Sequence, residues 1–148
     1  NFEKKHEFVA HKNSVFSVTY FPDFSMLVSG SRDAQLKFWN ANEQYVLHES
    51  IVAHMYTINH IAFSPSGRHF VTCSMDKSVK VWDAEKLKLL KVIDKARHAG
   101  HGTSVNKLYW SSCHDRLISC SDDRTISIWD INFIDHENNS IRNQAKKL

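Results

Sequence analysis

Residues 70–83 read FVTCSMDKSVKVWD, and nearly the same phrase stands at 27–40 as LVSGSRDAQLKFWN and at 117–130 as LISCSDDRTISIWD. The copies end 43 and then 47 residues apart. A small residue and a histidine precede each: Ala10-His11, Ala53-His54 and Gly100-His101. From that histidine to the aspartate of the later turn (Asp33, Asp76, Asp123) is 22 residues in every copy, and to the tryptophan (Trp39, Trp82, Trp129) it is 28. Spacing that is rigid within a unit and elastic between units marks a repeated structural element. The extra four residues fall around KARHAGHG, between Trp82 and His101.

One unit reads as four short strands. SVFSVTYF, TINHIAFS and SVNKLYWS carry apolar residues at Val15, Val18 and Tyr20, at Ile58, Ile61 and Phe63, and at Val105, Leu108 and Trp110. The last two of each trio alternate as a strand requires, and the first is one residue out of step, which predicts a bulge. A polar turn follows, marked by Pro or Gly in two copies. MLVSGS, HFVTCS and RLISCS have the apolar and small character of a strand covered on both faces. A tight turn through Asp33, Asp76 or Asp123 leads to QLKFW, SVKVW or TISIW, which alternate cleanly. Residues 45–52 and 88–93 predict a fourth strand. A single such sheet cannot cover both its faces, so the units must stack.

Composition fits a globular chain. Of 148 residues 42% are hydrophobic and 24% charged, with two prolines and four glycines, which excludes collagen-like and linker-like sequence. The net charge of +3 is mild, and Lys and Arg are interleaved with Asp and Glu rather than gathered in a stripe, so a nucleic-acid partner is not expected. No stretch is long and apolar enough for a membrane helix, and no membrane partner is expected. Three cysteines, with no C-x-x-C spacing, suggest no zinc site. Cys73 and Cys120 stand where Gly30 stands in the first unit, which predicts small, buried, reduced thiols and a cytoplasmic, intracellular setting.

The S-x-D-x-x-x-x-x-W-D ending with its upstream small-His pair resembles the WD40 family, in register three times over residues 10–130. The first unit departs, ending Trp39-Asn40, and the third lacks Pro-Gly in its first hairpin. The resemblance implies an all-β fold, a β-propeller segment of three four-stranded antiparallel blades. Blade 1 is expected over 11–53, blade 2 over 54–100 and blade 3 over 101–133, with 1–10 as the outer strand of a preceding or partner blade and 134–148 as a polar tail. It further implies a hydrogen-bonded set in each blade: His11, Ser29, Asp33 and Trp39; His54, Thr72, Asp76 and Trp82; His101, Ser119, Asp123 and Trp129. The chemistry is sound on its own terms. A carboxylate takes the imidazole N–H, and a hydroxyl bridges imidazole to indole, so no buried polar group goes unpaired.

Ser, His and Asp together also suggest a hydrolase, but active sites are not triplicated at fixed spacing, whereas structural pins are. His98 and His101 suggest a metal, yet no cysteine or carboxylate completes a ligand set. Asp122-Asp123 suggests an acid–base pair, with Asp123 already assigned to a pin. PSGR at 65–68 is a hairpin turn, not a phosphate loop. No catalytic residue, metal or cofactor is expected. In the family, partners often meet the third and fifth residues after the His and the residue before the Asp. Here these are Ser14, Phe16 and Arg32; Thr57, Asn59 and Met75; Ser104, Asn106 and Asp122. Val15, Ile58 and Val105, between the first two of each set, are expected to point inward. The implied function is a non-catalytic scaffold that binds other proteins or peptides through loops on one face. The alternatives are a regulatory or substrate-binding propeller domain of an enzyme or larger complex, and an oligomer with no ligand.

Propellers typically carry four to eight blades, so three leave two apolar faces open. Either the remaining blades belong to a longer chain, which an initial Asn1 in place of Met favours, or two chains pair as a homodimer into a six-bladed ring. The fourth strand of blade 3 comes from the tail or from another segment.

Overall fold

The structure is a computed structural model and describes residues 1–131. Eleven strands and one helical turn follow in order among these residues. The first sheet holds β1 (Val15–Tyr20), β2 (Met26–Ser31), β3 (Gln35–Asn40) and β4 (Val46–Val52). The second holds β5 (Ile58–Phe63), β6 (His69–Ser74), β7 (Val79–Asp83) and β8 (Lys88–Ile93). The turn α1 (Lys95–His98) precedes the third sheet, β9 (Val105–Ser111), β10 (Arg116–Ser121) and β11 (Ile126–Asp130). All pairings are antiparallel between sequence neighbours. These are the blades of a partial propeller, and the ring is not closed.

The out-of-step residue of each first strand is a register shift, between Val15 and Ser17 in β1 and between Ile58 and His60 in β5. In the third sheet it lies opposite Cys120 and Ser121. A second shift, which the pattern of apolar residues does not signal, falls opposite Phe38/Trp39 and Val81/Trp82. KARHAGHG is not a featureless loop. Asp94 caps α1 by accepting the Arg97 N–H at 2.9 Å, and Ala99 ends the turn in the left-handed region.

Stacking divides the core in two. Val28, Leu36 and Phe38 of the first sheet pack on Ile58, Ile61, Phe70 and Trp82 of the second, with Phe38 and Phe70 edge to face at 6.0 Å. Val71, Val79 and Val81 of the second pack on Val105, Leu108, Trp110 and Leu117 of the third. Among the described residues, blade 2 is therefore covered on both faces, and the outer blades on one each.

The inward placing of Val15 is corrected: Ile58 and Val105 are 0% exposed, but Val15 is 48% exposed. Its wall meets no other blade among the described residues. For the mirror-image reason Cys120 is only half-buried, whereas Cys73 is fully enclosed between blades 2 and 3. Residues 1–10 carry no strand, since a strand needs a neighbouring edge to bond. Phe8 nevertheless lies against Trp39 at 4.8 Å between ring centroids. The fourth strand of blade 3 and the polar tail, beyond residue 131, lie outside the described residues.

Candidate functional site: the clasps and the rim above them

In each blade the loop carrying the histidine closes onto the turn between the second and third strands. The Arg32 N–H donates to Ser14 O at 2.9 Å, that of Met75 to Thr57 O at 3.0 Å, and that of Asp122 to Ser104 O at 3.2 Å. The turn residue after each aspartate, Ala34, Lys77 or Arg124, has positive φ near 70°. A side chain is strained there, and the aspartate holds the turn in place. Asp33 accepts the Gln35 N–H, Asp76 that of Ser78, and Asp123 that of Thr125, each at 2.9 Å.

The same carboxylates reach the histidines. Nδ1 of His11 lies 3.0 Å from Asp33 Oδ2, that of His54 2.8 Å from Asp76 and that of His101 2.9 Å from Asp123. Nε2 then meets Ser29 Oγ at 2.7 Å, Thr72 Oγ1 at 2.7 Å and Ser119 Oγ at 2.8 Å. The indole N–H groups of Trp39, Trp82 and Trp129 donate to those same hydroxyl oxygens at 2.9, 2.9 and 3.0 Å. One arrangement of protons satisfies every atom: indole N–H to hydroxyl oxygen, hydroxyl O–H to Nε2, and Nδ1–H to carboxylate. Each imidazole is then the neutral Nδ1–H tautomer.

Burial holds His11 and His54 below their ordinary pKa, overriding the opposing pull of Asp33 and Asp76. Burial works to raise the Asp33 and Asp76 carboxyls. Backbone donors and His11 at Asp33, and His54 and the Ser78 hydroxyl at Asp76, outweigh it and hold both below the usual carboxylate range. The Thr125 hydroxyl, then His101, does the same for Asp123. The bridging hydroxyls cannot face a substrate. Ser29, Thr72 and Ser119 are 3%, 0% and 1% exposed, and each oxygen already takes an indole N–H.

The nine rim residues fall into different surroundings. Phe16 and Met75 are exposed, as are Arg32, Ser14 and Asp122. Thr57 is buried, which corrects its assignment as an accessible contact. Asn59 reaches sideways into blade 3, giving its amide N–H groups to Ser104 Oγ at 3.0 Å and Val105 O at 2.8 Å. It stitches two blades together and has little left to offer outward. Asn106 donates to Asp122 Oδ1 at 2.6 Å. The rim also contains two residues that the motif positions pass over: Met55 and Tyr56, 80% and 59% exposed. The signal for them was present, since the other copies place Lys12-Asn13 and Gly102-Thr103 after the histidine, and only this loop is apolar. The opposite rim holds an open cleft of about 1040 Å³ between hairpin turns, with Asp23, Arg68, Asp83 and Asp115 in its wall.

Among the described residues no three His, Cys, Asp or Glu side chains gather as a metal site needs, and no helix is long and apolar enough to cross a membrane. No curated protein matches the chain closely enough to count as a relative. The family model for the WD domain, G-beta repeat, matches at residues 2–40, 45–83 and 91–130. With three blades in register, each pinned by its own histidine, and three matches spanning most of the sequence, the chain belongs to the WD40 family.

Proposed function

We propose that the protein is a non-catalytic, intracellular scaffold that binds a partner protein or peptide through the rim of blades 1 and 2 on the histidine side. WD40 repeats form domains of the protein-interaction type. The observation that carries the finer reading is the run of exposed Phe16, Arg32, Met55, Tyr56 and Met75 on adjoining loops of one rim. Aromatic and guanidinium groups dominate binding energy at interfaces, and a thioether adapts to an uneven surface. These loops are held by the clasps below, so a partner meets a preformed surface and little ordering entropy is lost. The matching ligand has an apolar anchor with a carboxylate nearby to meet Arg32. The Ser–His–Asp sets favour a non-catalytic role because their hydroxyls are enclosed and committed. The unpaired thiols of Cys73, Cys113 and Cys120 support a reducing compartment.

Quantitative affinity capture tests this, comparing the wild type with Phe16→Ala, Arg32→Glu and a control on the opposite rim, Lys86→Ala. The same proteins should fall about tenfold or more in both rim variants and stay unchanged in the control, with equal thermal midpoints throughout. Partners retained at undiminished affinity by both rim variants would move the binding surface elsewhere.

A further inference from the structure

The first strand of each sheet is also its edge, and at both junctions between blades one edge amide finds its acceptor on the neighbouring blade. In blade 2 the amide is that of Ile61 in β5, and its N–H donates to Ser17 Oγ of blade 1 at 3.2 Å. In blade 3 it is that of Leu108 in β9, and its N–H donates to His60 Nδ1 of blade 2 at 3.0 Å. Ser17 and His60 hold equivalent places, six residues after His11 and His54. Ile61 and Leu108 are equivalent in turn, seven residues after His54 and His101. The same hydrogen bond thus closes both junctions with different acceptors. A hydroxyl oxygen accepts at any ordinary pH, whereas an imidazole accepts only while Nδ1 keeps its lone pair.

Nothing around His60 would support a charged ring. At the first junction Gly30 faces Ile58. At the second, Cys73 occupies the place of Gly30 and Val105 that of Ile58, both fully enclosed. Cys73 is also the register partner of His60, and burial pushes its thiol up and keeps it neutral. Lys107 of β9 is the charge that bears on the imidazole, and it has the same sign. The other titratable groups on the strands packed closely against β5 are His69 of β6, Tyr109 of β9 and Tyr20 of β1. Neither β5 nor any of β1, β2, β6 and β9 carries an Asp or Glu. Burial, with Lys107 second, holds His60 below its ordinary value of 6.5. Leu108 is buried, so an N–H released from His60 does not recover its bond from water. His60 itself is half-buried, which leaves a proton a way in.

We propose that His60 is a proton-operated latch on the junction between blades 2 and 3. A proton taken up from solvent at Nδ1 turns the acceptor into a donor that confronts the Leu108 N–H, and it sets a second cation beside Lys107. The bond opens and blade 3 loosens from blade 2, while Ser17 keeps the first junction closed. The residue before the latch carries the change to the rim. Asn59 donates to Ser104 Oγ and to the Val105 carbonyl, and that stitch holds only while β5 and β9 stay in place. The folded chain protonates His60 less readily than the unfolded chain does, so the latch is whole above pH 6.5 and is lost as pH falls below it.

His60→Ser is the informative substitution, because the first junction already works with serine at this place. Hydrogen exchange resolved by residue, corrected for the intrinsic rate, compares protection of Leu108 with that of Ile61 in the same sample. From about pH 7.5 to about pH 5.5 the ratio should fall roughly tenfold or more in the wild type. It should stay level in His60→Ser and be low at both pH values in His60→Ala. A wild-type ratio that does not move with pH overturns the proposal, and so does a His60→Ser ratio that falls as far as the wild type's. The clasp histidines are present in all three proteins, so their titration is common to the comparison. Should His60→Ser not fold, nitrogen NMR of the wild-type imidazole supplies a second reading. His60 should be the Nε2–H tautomer with a bare Nδ1 and a midpoint below 6.5. An Nδ1–H tautomer, or a midpoint at or above that value, overturns the latch. Exchange is read without a partner present, so the latch and the rim of Phe16 and Arg32 can fail separately.

Discussion

Asp76 is the residue on which one clasp turns. It accepts from His54 Nδ1, from the Met55 and Ser78 N–H groups and from the Ser78 hydroxyl. Asp76→Ala removes the acceptor for all four, and His54 is enclosed and cannot recover the loss from water. The expected cost is about 1–3 kcal/mol, read as a lowered urea midpoint at constant slope; an unmoved midpoint would deny the clasp any structural weight. Acid should act on the same groups. A folded-state histidine held below 6.5 takes up a proton less readily than the unfolded chain does. The stability given by His11 and His54 is therefore whole above pH 6.5 and lost as pH falls below it. Asp33 and Asp76, held below 3.8, add a second loss in the same direction that begins only under that pH. Urea midpoints should be level above the first value and fall in two stages beneath it. A midpoint that climbs on acidification would mean that the imidazoles are charged in the fold and the proton order is reversed. The clasp members were legible because spacings of 22 and 28 residues recur three times. The left-handed residues were not, since Ala34, Lys77 and Arg124 occupy positive φ with no glycine to announce it.

Between elements, the junctions work as pairs of facing shapes. A Cβ at Gly30 would stand 2.7 Å from Ile58 Cγ2, so a side chain there requires Ile58 to shift, and a valine, shorter by the terminal methyl, shifts more freely than isoleucine. Gly30→Cys alone should cost about 1–3 kcal/mol through overpacking, and Ile58→Val alone about 0.5–1.5 kcal/mol. Combined, they recreate the Cys73–Val105 pair, so the double variant should recover a large part of the sum. A thermodynamic cycle measures this, and losses that merely add would show that the two side chains do not share a boundary. Strands and their order were readable from period-2 patterns and turn residues. Which wall meets which was not, because alternation assigns a residue to a face and not to a neighbour. Thr57 and Asn59 show the limit. Both were placed on the rim by their offset from His54, yet one is enclosed and the other is spent on blade 3, a fate set by how far the next blade approaches.

For the whole molecule, the unequal covering of blades sets how it opens. Among the described residues, β7 lies between β6 and β8 inside the one sheet that is packed on both faces, whereas β11 pairs with β10 alone and has an exposed outer wall. In stacked repeats each unit is stabilised by its nearest neighbours, so a unit with one neighbour opens more readily than a unit with two. The β11 amides turned away from β10 should therefore exchange fast and those of β7 slowly, read by hydrogen exchange followed strand by strand. Equal protection in the two strands would show that the blades open together as one unit, and faster exchange in β7 would deny that covering on both faces sets the order of opening.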